Sequence, residues 1–142
     1  MPICDIVISE SNFPRNKRQI IIERLTKILL EAEGFEDNPI SRSICFINLH
    51  SSNSMYIGGN LSKEGKIIVT IYVFAEAYSD ETRARLFRKV TNLFVEEDDY
   101  TAGQKGQNIW CVILHVEKNN FAVGGDGVSL AQVSNLVKSH KI

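Results

Sequence analysis

The sequence carries almost no net charge and no long apolar run, and each lack excludes a class of protein. Its 16 Lys and Arg residues stand against 17 Asp and Glu residues, which leaves a formal charge of −1. Proteins that bind nucleic acid or anionic membranes through charge carry a basic patch, so we expect neither partner. The chain has no run of about 18 apolar residues, and its amino terminus lacks the pattern of a signal peptide. We therefore expect no membrane span and a cytoplasmic protein.

Cysteine is also scarce, with three residues at Cys4, Cys45 and Cys111. Three is an odd number, the neighbours of each cysteine are apolar, and no spacing matches a zinc site. Buried thiols of this kind are typical of reduced cytoplasmic proteins. The sequence thus predicts core cysteines, no disulfide framework, no metal and no cofactor.

The remaining composition is that of a single domain spanning residues 1–142. Apolar residues make up 44% of the chain and charged residues 23%, which is ordinary for a globular domain with one core. Within it we distinguish two copies of one unit, at residues 2–60 and 67–126. Residues 127–142 form a tail.

The two copies are visible in two strand-like runs that each end in histidine. ICFINLH at 44–50 and IWCVILH at 109–115 are separated by 65 residues. Each is followed, after a short polar stretch, by an aromatic residue and a diglycine. This spacing predicts that His50 and His115 occupy equivalent strand ends with a shared structural role. No carboxylate cluster accompanies them at the spacing of metal ligands.

An amphipathic helix precedes each of these runs. Apolar residues recur at i, i+4, i+7 and i+8 from Ile21, and the same series begins 65 residues later at Leu86. That spacing is one face of a helix. Pro14 suits the first turn of one helix, and Ser79 suits the N-cap of the other. Residues 96–107 indicate a loop, and residues 129–138 a short terminal helix or tail.

Each unit therefore predicts a strand, a helix, a second strand and a glycine turn. The first strands are Ile3–Ser9 and Ile67–Phe74. A strand-helix-strand unit pairs its strands in parallel through a right-handed crossover. Two units then give an α+β fold, a four-stranded mixed sheet with both helices on one face. The open face of the sheet needs a cover, and another subunit is the simplest one.

These features together resemble the tautomerase superfamily over residues 2–128. The similar segments are Pro2 directly after Met1, YIGG at 56–59, YSDETR at 78–83, IW at 109–110 and FAVGGD at 121–126. The third and fifth of these are similar to 4-oxalocrotonate tautomerase. The double-length layout resembles the cis-3-chloroacrylic acid dehalogenase and malonate semialdehyde decarboxylase groups. The resemblance implies the fold of macrophage migration inhibitory factor and a homotrimer.

The resemblance also implies that Pro2 is the catalytic base of a keto–enol tautomerase acting on a small 2-oxo or enol compound. Removal of Met1 turns the Pro2 nitrogen from an amide into a secondary amine. An ordinary α-amino group titrates near ~7.7, and an apolar pocket without carboxylates lowers that value. The neutral amine can then take a proton from the carbon next to a carbonyl. Ile67 stands at the equivalent position of the second copy, so each chain supplies one amine.

The expected pocket lacks the arginines with which acid-binding members of the family hold carboxylates. Tyr78 and Trp110 stand where those arginines commonly lie. The resemblance therefore implies a substrate that is not a dicarboxylate, in a pocket walled by Tyr78, Trp110 and Phe121. Tyr78 could donate its hydroxyl to a developing enolate. Arg42, before the second strand of the first copy, is the best candidate cation.

Two other interpretations stay open at this stage. One is a catalytically silent trimeric binding protein on the same scaffold, which the missing arginines favour. The other is a ferredoxin-like regulatory domain, which also pairs two strand-helix-strand units but predicts no special terminus and no trimer.

Overall fold

The computed structural model describes residues 2–9 and 14–139. The strands are β1 (Ile3–Ser9), β2 (Phe46–Ser52), β3 (Tyr56–Ile57), β4 (Asn60–Leu61), β5 (Ile67–Phe74), β6 (Ile109–Val116), β7 (Ala122–Val123) and β8 (Asp126–Gly127). The helices are α1 (Arg18–Ala32), α2 (Pro39–Ser43), α3 (Asp80–Glu97), α4 (Asp99–Gly103) and α5 (Leu130–Lys138), and a 3₁₀ turn at Arg15–Lys17 leads into α1.

Four strands form one mixed sheet in the order β2-β1-β5-β6. The β1/β2 and β5/β6 pairs are parallel, and the central β1/β5 pair is antiparallel. The predicted α+β fold with a four-stranded mixed sheet is therefore confirmed. Because the two strands of each unit pair directly, the topology differs from the split units of a ferredoxin-like domain.

Both long helices cover the same face of this sheet, as predicted. The predicted apolar series are buried in α1 at Ile21 and Leu25 and in α3 at Leu86 and Val90. They pack against the inward side chains of the two central strands, which alternate along each strand as the pleat requires. Those strand residues are Cys4, Ile6, Ile8, Ile67, Val69, Ile71 and Val73.

The register of the sheet corrects the expected equivalence of the two histidines. The offset of 65 residues holds between β1 and β5, because Cys4 and Val69 are both buried and take corresponding partners, Ile47 and Cys111. Those partners are only 64 residues apart. His50 therefore corresponds to Leu114 and lies on the open face, whereas His115 lies on the helix face, where its Nε2 is 3.4 Å from Arg83 Nη1. The expectation of a shared role was wrong.

Each second strand leads into a two-residue hairpin, β3–β4 or β7–β8, turned by a diglycine. The φ angles are +59° and +84° at Gly58 and Gly59, and +62° and +95° at Gly124 and Gly125. Glycine adopts positive φ angles at no steric cost, which explains why a diglycine suits each hairpin turn.

The segment expected as a loop at residues 96–107 is largely helical. Helix α3 continues to Glu97, and α4 follows after Asp98. The buried Asp98 side chain caps α4, with its Oδ2 accepting from Thr101 N at 3.3 Å and Thr101 Oγ1 at 2.6 Å. The sequence analysis missed this cap because acidic residues and glycines are also typical of loops. Helix α5 is the last helix of the described residues.

The sheet face opposite α1 and α3 is apolar and open over β6. Trp110, Val112 and Leu114 are 67%, 43% and 44% exposed, and Ile68 on β5 and Phe46 on β2 add to the same face. Among the helices of the described part of the chain, none is long and apolar enough to cross a membrane.

Candidate active site

Pro2 is buried immediately before β1 and is held there by the backbone. Its carbonyl oxygen accepts a hydrogen bond from Phe46 N at 3.1 Å. The register places the beginning of β1 beside the beginning of β2 and the end of β5, since Ile3 pairs with both Phe46 and Tyr72. Ile67 takes the equivalent place in the second unit and is 2% exposed. Pro2 is thus buried at one end of the sheet.

Tyr78 lies at the same end, between β5 and the N-cap of α3. Ser79 caps α3 by accepting from Thr82 N at 3.1 Å, and Arg83 Nη1 donates to the Tyr78 carbonyl at 3.0 Å. The ring is 5% exposed and packs in the main core. Its hydroxyl is buried and finds no hydrogen-bond partner among the residues that the structure describes. The Tyr78 hydroxyl is therefore a buried hydrogen-bond donor without a partner among the described residues, and it lies near the end of the sheet where Pro2 is found.

Glu33 is a residue of this site that the sequence analysis missed. It follows α1, and its backbone N–H donates to Leu29 O at 3.2 Å. Burial is the largest influence on the Glu33 carboxyl, and it raises the pKa of that group. One signal could have found it, because an acidic residue at the C-terminal end of a helix opposes the helix dipole.

The charge of Glu33 reaches both Tyr78 and Cys45. Burial and then the Glu33 carboxylate raise the pKa of the Tyr78 phenol, so it remains a proton donor at neutral pH. Burial and then the same carboxylate raise the pKa of Cys45 to about 11. Cys45 directly precedes Phe46, which bonds to Pro2. The sequence analysis did not foresee a carboxylate near Tyr78, one of the expected pocket residues.

A cavity of about 270 Å³ opens between α1 and α3 beside this group, with Glu33 and Ala77 in its wall. Its other lining residues are Ile28, Glu31, Ala32, Gly34, Thr82, Arg85, Leu86 and Lys89. Lys89 Nζ pairs with Glu31 Oε2 of α1 at 2.8 Å, and Arg85 Nη2 pairs with Glu81 Oε1 of its own helix at 3.8 Å.

Phe121 also lies at the Pro2 end of the sheet. Its ring meets Phe74 edge to face, with the ring centroids 5.6 Å apart and the planes at 82°. The two phenylalanines belong to a second small core with Val133 of α5. The structure thus brings Pro2, Tyr78 and Phe121 to one end of the sheet.

The other two predicted site residues, Trp110 and Arg42, lie away from the Pro2 end of the sheet. Trp110 is opposite Ile68, four residues along β5 from the partner of Ile3, which is about 13 Å at the usual strand rise. It borders an apolar cavity of about 200 Å³ with Met55, Tyr56 and Ile57 of the first hairpin.

Arg42 is held by two carboxylates. Its Nη2 lies 2.8 Å from Glu23 Oε1 and 2.8 Å from Asp37 Oδ2, and its Nε also bonds to Asp37. These hydrogen bonds, those of Asp37 first, raise the pKa of Arg42. They neutralise its charge and tie α2 to α1.

The three cysteines are free thiols, as expected. Burial raises the pKa of Cys4, and it raises the pKa of Cys111 to about 12. All three thiols are protonated at neutral pH, because the pKa of Cys45 is also raised. They are therefore poor nucleophiles.

Comparison with known proteins agrees with this architecture. Residues 68–131 match the family model described as tautomerase enzyme. No curated protein matches the chain at the level of sequence. The match lies in the second unit, from β5 to the beginning of α5. The second unit of the chain is therefore similar to the tautomerase family.

Solved structures resemble this chain over nearly its whole length. Pt0534 inactivated by 2-oxo-3-pentynoate has a TM-score of 0.68 at 17% identity, covering 91% of this chain and 96% of that one. Native fused 4-OT has a TM-score of 0.69 at 13% identity, covering 88% and 94%. The macrophage migration inhibitory factor-like protein of Entamoeba histolytica has 0.65 at 19%, covering 89% and 98%. The fused, double-length form is confirmed.

Proposed function

We propose that the protein is a keto–enol tautomerase in which the Pro2 amine, freed by removal of Met1, is the general base. The amine takes a proton from the carbon next to a carbonyl and returns it to another atom of the same substrate. The observation that carries the proposal is the burial of Pro2 at the sheet end where the Tyr78 hydroxyl is fixed and unused. Tyr78 would donate to the enolate oxygen as charge develops there.

The proposed substrate is a small, partly apolar or aromatic 2-oxo compound rather than a dicarboxylate. Phe121 supplies an aromatic wall at the Pro2 end. Arg42, the expected cation, is already paired with Glu23 and Asp37. Its guanidinium is therefore not available to bind a substrate carboxylate through two hydrogen bonds. Trp110 is too distant along the sheet to wall the Pro2 pocket of its own subunit.

We also propose that the protein works as a homotrimer. Several large apolar side chains are exposed together on the open face of the sheet, and such faces mark sites of association. Fused 4-OT forms with the same fold are described as a symmetric trimer and an asymmetric trimer. Trp110 belongs to this face and would be covered by a neighbouring subunit.

The proposal needs no cofactor or metal, because proton transfer is supplied by side chains and the amine. The three protonated core thiols suit a reducing compartment, so the proposed location is the cytoplasm.

Conversion of two enols tests this function. Phenylenolpyruvate should be ketonised faster than 2-hydroxymuconate, since the latter brings two carboxylates to a site without a free arginine. Pro2→Ala should lower the rate while leaving the oligomer unchanged. If 2-hydroxymuconate were the better substrate by tenfold or more, the proposed substrate class would be wrong. If neither enol were converted, the silent binding protein would replace the enzyme.

A further inference from the structure

The apolar cavity beside Trp110 lies between the first hairpin and the sheet, and the proposed reaction does not use it. Its volume is about 200 Å³. The apolar wall, which defines what we call the Trp110 cavity, consists of Met55, Tyr56, Ile57, Ile67, Ile68 and Trp110. Ile67 pairs with Ile8 near the end of β1, whereas Pro2 precedes the beginning of that strand. The Trp110 cavity therefore lies at the opposite end of the sheet from Pro2.

The two polar residues of the wall, Lys66 and Asn108, already have partners. Lys66 Nζ lies 3.1 Å from Glu64 Oε2. Asn108 Nδ2 donates to Gly65 O at 2.7 Å and to Thr101 Oγ1 at 2.9 Å, and Asn108 Oδ1 is buried. Because the described wall offers no unpaired charge, a charged ligand would lose its hydration there without gaining a partner. The wall therefore favours an uncharged occupant.

The Ile67 nitrogen cannot act as the Pro2 amine is proposed to act. Ile67 begins β5 as Pro2 leads into β1, but its nitrogen is a peptide N–H within the chain. That N–H donates to Asn108 O at 3.0 Å. The Trp110 cavity thus has the properties of a binding site and not those of a second catalytic site.

The size of the Trp110 cavity suits one aromatic ring. An apolar protein cavity of about 150 Å³ is large enough to bind benzene, and this one has about 200 Å³. Its two aromatic side chains are accessible, since Trp110 is 67% and Tyr56 is 65% exposed. An aromatic ligand can stack on such rings or meet them edge to face, which adds to the contribution of apolar burial. Volume and lining together favour a small aromatic molecule.

We infer that the Trp110 cavity is a non-catalytic binding site for a small, uncharged molecule with one aromatic ring. This inference goes beyond the proposed tautomerase and does not depend on it, because it involves neither Pro2 nor Tyr78. In the proposed trimer, Trp110 and Ile68 lie on the face that a neighbouring subunit would cover. Because the hairpin makes this part of the face concave, we expect the neighbour to close the cavity from outside rather than to fill it.

The single tryptophan of the chain makes the test direct. Trp110 is the only tryptophan, so its emission reports on this cavity alone. Toluene should shift the emission to shorter wavelength along a saturable curve, because it replaces water beside the indole. Benzoate, which carries a carboxylate on the same ring, should bind at least about tenfold more weakly, because that charge has no partner there. Absence of saturable toluene binding, or benzoate binding as tight as that of toluene, would overturn the inference.

Two equivalent hairpin positions provide a variant and its matched control. Ile57 is in the cavity wall and is 44% exposed, whereas Val123 is on the second hairpin and is 59% exposed. Ile57→Asp should weaken toluene binding at least about tenfold, because it brings a carboxylate into the apolar wall. Val123→Asp should leave the affinity unchanged. Equal effects of the two substitutions would overturn the inference, since the emission change would then not come from the Trp110 cavity.

The same titration of Val112→Lys tests the role of the neighbouring subunit. This substitution places a charge on the open face of β6 and should separate the subunits. Toluene should bind to the wild type and to the variant with similar affinity. Binding to Val112→Lys alone would show that the neighbouring subunit fills the cavity, and would overturn the inference.

Discussion

The backbone N–H of Phe46 donates a hydrogen bond to the carbonyl oxygen of Pro2 at 3.1 Å. This hydrogen bond involves the carbonyl oxygen of Pro2 and not its nitrogen. It can therefore form whether or not Met1 is attached. The first residue of β2 thereby fixes the terminal proline against the sheet. Removal of Met1 should change the chemistry of the nitrogen without changing the fold.

Tyr78→Phe should make the protein more stable and less active. The Tyr78 hydroxyl is buried without a hydrogen-bond partner among the described residues, and an unsatisfied buried hydroxyl costs about 1–3 kcal/mol. Its removal should raise the free energy of unfolding in urea by about 1 kcal/mol. Loss of the donor to the enolate should lower kcat roughly 100-fold.

Tyr100→Phe on α4 is the control for both measurements and should change neither. A Tyr78→Phe protein that keeps full kcat would remove Tyr78 from the proposed mechanism.

Val112→Lys should break the trimer. Val112 lies in the middle of β6 on the open apolar face and is 43% exposed, so a lysine there would bury an unpaired charge in the proposed interface. Light scattering should report a trimer for the wild type and a smaller species for the variant. Asn92→Lys, on the exposed surface of α3, should remain a trimer. A wild-type monomer at micromolar concentration would rule out the assembly.

Gly106→Ala should destabilise the monomer fold, whereas Gly103→Ala should not. Gly106 has a φ of +77°, and an added Cβ would lie 2.6 Å from Thr91 Cγ2. Gly103, three residues earlier, meets nothing within 4 Å and has no positive φ. We expect a loss of roughly 1–3 kcal/mol for Gly106→Ala in urea unfolding. Equal stabilities of the two variants would contradict the turn geometry.

Arg42→Met should lower stability at neutral pH but not in acid. Hydrogen bonds from Arg42 lower the pKa of both Asp37 and Glu23. A carboxylate with a lowered folded-state pKa stabilises the fold above its unfolded value, near ~4, and that contribution is lost as the pH falls through the folded value. The difference in urea midpoint between the wild type and Arg42→Met should therefore shrink below about pH 4. The exposed Arg88→Met variant should show no such pH dependence.

The fold was readable from the sequence because its signals are local. The apolar series from Ile21 and Leu86 gave the helices, and the diglycines gave the hairpins. The offset between the units was less secure, because one residue is lost between α3 and β6 and a strand reverses its faces with each single-residue shift. His50 and His115 were mispaired for that reason.

The site was predicted less well, because its geometry joins distant segments. Pro2 and Phe121 could be found from short motifs at the chain terminus and the second hairpin. Glu33 resembles any surface acid of a helix until the fold buries it beside Tyr78. Arg42 was an attractive cation in the sequence, but its partners Glu23 and Asp37 lie on neighbouring elements that only the folded chain brings together.

The most direct test of the central claim is the activity of two forms of the same protein, one retaining Met1 and one free of it, each verified by intact mass. Both should give the same circular dichroism, unfolding midpoint and oligomeric state. Only the Met1-free form should ketonise phenylenolpyruvate, because only there is the Pro2 nitrogen an amine. Equal rates in the two forms would contradict the mechanism and leave the protein as a catalytically silent binding protein with the same fold.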